Sequence, residues 1–149
     1  MPNRRTHIEA GAIAGSVAAV AMAKGQPASM VLAEITGGLL GGALGGMMPD
    51  LLEPATSPHH RKLAHSVVTA GALTLAKVTE WQAACRRQAA AQEQAALQFL
   101  PGSRPRSDAE LASIRWSFLA GFIAGFLAGY VSHLALDAVT TRGLPFIGL

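Results

Sequence analysis

The chain predicts an all-α fold, a small bundle of about four apolar helices, and three features carry that expectation. Half of the 149 residues are hydrophobic, while 14% are charged and 5% aromatic. Many of the sixteen glycines recur at every fourth position, the spacing that lines one face of a helix. Long apolar runs are separated by short segments of proline, glycine and charge, where helices end. Such a composition is common in helical membrane proteins, where small residues let helices approach closely. At this length the chain, residues 1–149, makes one helical domain, with a polar insertion over about 80–110.

The first helix is expected over about 7–23. Asn3-Arg4-Arg5 before an apolar run ending in Ala21-Met22-Ala23 has the outline of a signal peptide. Thr6, His7 and Glu9 crowd its boundary, which favours an uncleaved helix. Lys24-Gly25-Gln26-Pro27 stops it: Gly25 suits a helix C-terminus and Pro27 the first turn of the next helix. That second helix, about 28–47, carries Gly37, Gly41 and Gly45, with Gly38, Gly42 and Gly46 beside them. Glycine costs about 1 kcal/mol per residue inside a helix, so this density needs a packing reason. Small-xxx-small contact with a neighbouring helix supplies it. A phosphate-cradling loop is not supported, since no Gly-Lys-Ser/Thr follows.

From Pro49 onward, Pro54 and Pro58 also interrupt the chain, which predicts a shaped loop rather than helix. A third helix, continuous or with one break, should start near Lys62 and run to about Phe99, apolar at first and alanine-rich and polar from Trp81. Pro101-Gly102-Ser103-Arg104-Pro105-Arg106 reads as a loop, after which Ser107 or Asp108 caps a last helix over about 109–140. From Trp116 to Leu136 only His133 ionises readily, and about 20 such residues can cross a bilayer core. The first two helices have shorter uncharged runs, compatible with crossing, with core packing or with partial insertion.

Net charge is +3, but the basic residues fall in scattered pairs such as Arg61-Lys62 and Arg86-Arg87. No basic stripe interleaved with aromatics appears, so nucleic acid is a minor option and anionic lipid suits the pairs equally well. Basic residues flank both ends of the bundle, so they do not orient it in a membrane. Cys85 is the single cysteine, which excludes an intrachain disulfide and a cysteine-based zinc site. Trp81, Trp116 and Tyr130 read as packing or interfacial anchors.

The chemistry concentrates elsewhere. Asp50, Glu53, His59, His60 and His65 lie within one short stretch, in a chain with five histidines. His133 and Asp137 lie four apart, on one face of a helix, and His7 opens the chain. In an up-down-up-down bundle all these groups gather at one end. Imidazoles with carboxylates are what a divalent ion such as zinc or manganese selects. Of the adjacent pair, His60 is the better candidate, and His59 suits a surface loop. The competing reading is structural: a hydrogen-bonded His133–Asp137 pair, Asp50 capping a turn, His7 and His65 as helix-start residues and Arg61 solvated.

These residues resemble the YdjM-type family of membrane-bound metal-dependent hydrolases, also described as LexA-binding, inner-membrane-associated hydrolases. The matching elements are Thr6-His7, Gly45-Gly46-Met47-Met48-Pro49-Asp50, His60-Arg61, His65-Ser66, Gly129-Tyr130-Val131-Ser132-His133 with Asp137-Ala138 and Thr140, and the closing Gly143-Leu144-Pro145. Many members have Pro-Asp-x-Asp, whereas here the second carboxylate is Glu53, one position later. The family is in turn similar to the all-helical zinc-dependent phospholipase C group. That resemblance implies His7, Asp50, His65, His133 and Asp137 as metal ligands, with His60 a further candidate, and a location in the bacterial inner membrane.

The expected function is then a membrane-associated metal-dependent hydrolase. Asp50 or Glu53 would accept a proton from activated water, and Arg61 would steady an anionic group. The substrate expected is a phosphoester, as a small molecule or a membrane lipid. The alternative is a non-catalytic membrane protein with a structural metal, binding a protein partner through 80–110. Ion transport through intramembrane His and Asp is a weaker third option.

Overall fold

The computed structural model of the chain describes residues 3–52, 71–72 and 78–139. Among them are four long helices, α1 (Arg4–Met22), α2 (Ala28–Leu52), α3 (Val78–Ala96) and α4 (Arg104–Ala138), and no strand. Helix α2 packs on both α1 and α4, α1 also touches α4, and α3 lies on α4.

Three boundaries differ from the sequence expectation, each for a local reason. Helix α1 starts at Arg4 because the Asn3 side chain caps it, accepting from the Thr6 amide at 2.9 Å. His7 therefore lies inside the helix rather than at its start. Helix α2 does not stop before Pro49 but runs through it to Leu52. Proline removes one backbone donor, and in a last turn that loss is confined to a single ladder bond. Helix α4 takes in Arg104, Pro105 and Arg106, which were expected in a loop. Ser103 rather than Ser107 or Asp108 stands at its N-cap, and Pro105 occupies the first turn, where its missing N–H costs nothing.

The register of the bundle is written in its glycines. A Cβ at Gly11 would meet Gly42 and Gly46, and one at Gly15 would meet Gly38 and Gly42, so α1 and α2 run antiparallel. A Cβ at Gly37, Gly41 or Gly45 would strike the carbonyl of Phe118, Phe122 or Phe126 in that order, so α2 and α4 run parallel. This is the relation that up-down-up-down order requires.

Three rows at spacing four form the seam: His7, Gly11, Gly15 and Ala19 of α1; Glu34, Gly38, Gly42 and Gly46 of α2; Gly121, Gly125, Gly129 and His133 of α4. All twelve residues are buried. Rows at spacing four are the ridges that interdigitate when helices pack. The middle of the seam has no side chains, so backbone lies directly on backbone. Polar groups appear only towards its two ends.

At one end sits Glu34, fully buried among small residues. Its Oε1 accepts from Arg86 Nε at 2.7 Å and its Oε2 from Gln26 Nε2 at 3.2 Å. This pair ties α3 to the core, helped by Gln82 Nε2 donating to Met22 Sδ at 2.9 Å.

Two outcomes follow from this packing. Gly42→Val should destabilise the bundle by more than the roughly 1–3 kcal/mol of ordinary overpacking, because backbone rather than a side chain must move. Denaturant unfolding in detergent measures it. Arg86→Ala should cost about 3–5 kcal/mol by stranding the Glu34 carboxylate, whereas Glu34→Gln combined with Arg86→Met should cost less.

Candidate metal centre

The other end of the seam gathers four side chains from three helices. His7 stands in the second turn of α1. Asp50 lies one turn beyond Gly46, carried onto the seam because α2 stays helical through Pro49. His133 and Asp137 follow Gly129 on successive turns of α4. Sequence spacing alone paired the last two; the bundle brings His7 and Asp50 to them.

His133 is held from behind. Its Nδ1 lies 2.6 Å from the Gly46 carbonyl, which can only accept, so Nδ1 carries the proton and donates it. The Nε2 lone pair is thereby turned towards the carboxylates. Backbone fixing of one ring nitrogen, leaving the other to a metal, is the usual outer-shell arrangement of metal-binding histidines. The His7 and His133 rings stack, with centroids 3.8 Å apart and planes 23° from parallel.

His133 Nε2 is 3.7 Å from Asp50 Oδ1 and 3.7 Å from Asp137 Oδ2, while His7 Nε2 is 3.6 Å from Asp137 Oδ1. Asp137 thus offers one oxygen to each histidine. Ligand atoms of His7, Asp50 and His133 all lie within 4.8 Å of one another. These separations exceed ordinary hydrogen-bond lengths. Donors held about 2.1 Å from a tetrahedral ion lie roughly 3.4 Å apart, close to the spacing seen here. The donor set therefore fits a divalent cation in chemistry and in scale.

Burial is uneven across the cluster. The side chains of His7, His133 and Asp137 are at most 3% exposed, whereas that of Asp50 is 35% exposed. A carboxylate as deeply buried as Asp137 needs a cation or strong hydrogen bonds to offset lost hydration. Asp50 is the most exposed of the four side chains.

The remaining sequence candidates, Glu53, His59, His60, Arg61 and His65, lie outside the described residues, as do Thr140 and Gly143-Leu144-Pro145. Tyr130 is buried and serves packing rather than an interface. Cys85 is buried on α3, and burial pushes its thiol up, which makes it a poor nucleophile. Two groups used by the structure were not singled out from the sequence. The Gly46 carbonyl carries no side-chain signal. Glu34 did leave one, being the sole acid in an apolar glycine-rich run before Asp50.

The family model of the YdjM inner membrane protein matches residues 1–147. The chain belongs to that family. YdjM membership sets the protein in a membrane, and among the described residues α2 and α4 are long and apolar enough to cross one. No curated protein and no solved structure matches the chain. The likeness to zinc-dependent phospholipase C, expected above, therefore gains no support from a solved fold.

The geometry ranks the two carboxylates. Asp137 faces both histidines and is buried, while Asp50 faces one and is partly exposed. Asp137→Asn should therefore weaken zinc binding more than Asp50→Asn, as read by competition with a chromophoric chelator on the purified protein.

Proposed function

We propose that the protein is a membrane-associated metal-dependent hydrolase. In this reading a divalent ion, zinc or manganese, is held by His7, Asp50, His133 and Asp137, with His60 and His65 completing the set. The observation that carries it is the set of 3.6–3.7 Å separations between two imidazoles and two carboxylates drawn from three helices. A bound ion of this kind supplies Lewis acidity and an activated water.

The chain's own residues divide the remaining work. Gly46 holds the His133 tautomer, so that ring needs no reorientation during turnover. Asp137 stays buried and keeps both histidines in place. Asp50, the most exposed of the four, is the group positioned to accept a proton from water, with Glu53 as the other candidate. Arg61 would steady an anionic substrate group. A phosphoester is the substrate class proposed, because a site at one end of a membrane bundle faces lipid headgroups.

The second reading is a non-catalytic membrane protein with a structural metal. It draws on the α3–α4 turn, where Leu97 and Leu100 are 61% and 80% exposed. Exposed apolar residues of this kind suit a protein partner.

Elemental analysis of the detergent-purified protein decides first, wild type beside His133→Ala and Asp137→Ala. Zinc or manganese in the wild type, lost in both variants, together with turnover of phosphodiesters or phospholipids, is the expected result. Metal without turnover favours the structural reading. A metal-free wild type after reconstitution, with both variants folded, sinks both.

A further inference from the structure

A second feature lies along α4. Between α1, α3 and α4 runs a groove of about 460 Å³. Its walls include Ala14 and Ala18 of α1, Val78 of α3, and Ala124, Leu127 and Ala128 of α4. The small residues on α1 and α4 hollow it out. Gln82 and Met22, in contact with each other, line one end, and Ser132, the residue before His133, lines the other. None of the four cluster side chains lines it, and Ser132 marks the end of the groove nearer to His133 along α4. From Ile123 to Ser132 it covers nine helical steps, about 13 Å at 1.5 Å per residue.

We propose that this groove holds one acyl chain of a membrane phospholipid, with its headgroup towards the Ser132 end of the groove. Four observations single out that occupant. The lining is almost wholly apolar, and two of its polar residues are engaged elsewhere: Ser132 Oγ donates to the Gly129 carbonyl at 2.8 Å and Gln82 to Met22. Water needs two or more polar partners to be held in such a place, and a polar metabolite needs convergent polar groups. An empty groove would forfeit dispersion contacts with every wall residue. In the membrane where this family resides, lipid hydrocarbon is the apolar material at hand.

Length agrees as well. About 13 Å is close to half the roughly 30 Å hydrocarbon core, the depth of one leaflet. The cluster sits near the end of the apolar stretch of α4 that closes at Leu136, where a headgroup begins. This deepens the proposed function by choosing a membrane lipid over a soluble phosphoester. It rests on that reading for the fate of the headgroup; holding the chain requires no metal.

The test uses the full chain reconstituted in vesicles of phosphatidylethanolamine and phosphatidylglycerol. The vesicles contain a phospholipid with a photoactivatable diazirine in one acyl chain. Labelled positions are mapped by mass spectrometry. The expected result is labelling concentrated on the groove faces of α1 and α4 over 14–22 and 123–132. Ala128→Trp should abolish it while leaving metal content unchanged, and the milder Ala124→Leu serves if Ala128→Trp does not fold. Labelling spread evenly over outward residues such as Leu32 and Leu39, unaffected by a folded groove variant, overturns the proposal. Groove labelling without metal or turnover keeps the groove and sinks the hydrolase. Turnover of a soluble phosphodiester with no groove labelling does the reverse.

Discussion

Direct backbone contact among α1, α2 and α4 is the constraint on which the rest of this molecule depends. Each glycine in a helix interior costs about 1 kcal/mol of intrinsic helix stability. The chain carries that cost repeatedly along α2 and α4 because three helices must touch without side chains between them. Close approach returns dispersion contacts along the whole seam, and in a membrane such packing is a principal force holding helices together. It also sets distances. The His133 ring reaches the Gly46 carbonyl only because α2 and α4 are already in contact at Gly42 and Gly129.

The seam isolates two polar ends that are satisfied differently. At the Glu34 end, Arg86 supplies a cation and Gln26 a further donor, so the charge is balanced by the protein itself. At the His7 end, two carboxylates face two imidazoles, a donor set that could hold a divalent ion. Glu34 is fully buried, while Asp50 is half-buried. A buried, internally paired end and a partly exposed donor-rich end suit a scaffold and a working site respectively.

Much of this was legible along the chain. Gly37-Gly41-Gly45 and Gly121-Gly125-Gly129 announced helices with a bare face, since spacing four lines one side of a helix. His133 and Asp137 announced a paired face because one helical turn separates them. Two of the misreadings share one cause. Pro49 and Pro105 were weighed as helix breakers by composition, yet each sits within a turn of a helix end. There few ladder bonds are at stake, and the helix ends are where proline is tolerated. Arg86 was read as one of several scattered basic pairs, because nothing along the sequence links it to Glu34, fifty-two positions away.

By itself the sequence determined the helical class, the small-residue faces and the donor types, because these depend on periodicity and side-chain chemistry within a turn or two. The tertiary structure decided which faces meet and in what register. It carried Asp50 onto the seam, set His7 against His133, and assigned Arg86 to Glu34. Those pairings join residues dozens to more than a hundred positions apart, and their spacing depends on how closely two backbones can approach. That distance is a property of the packed bundle and of no single helix.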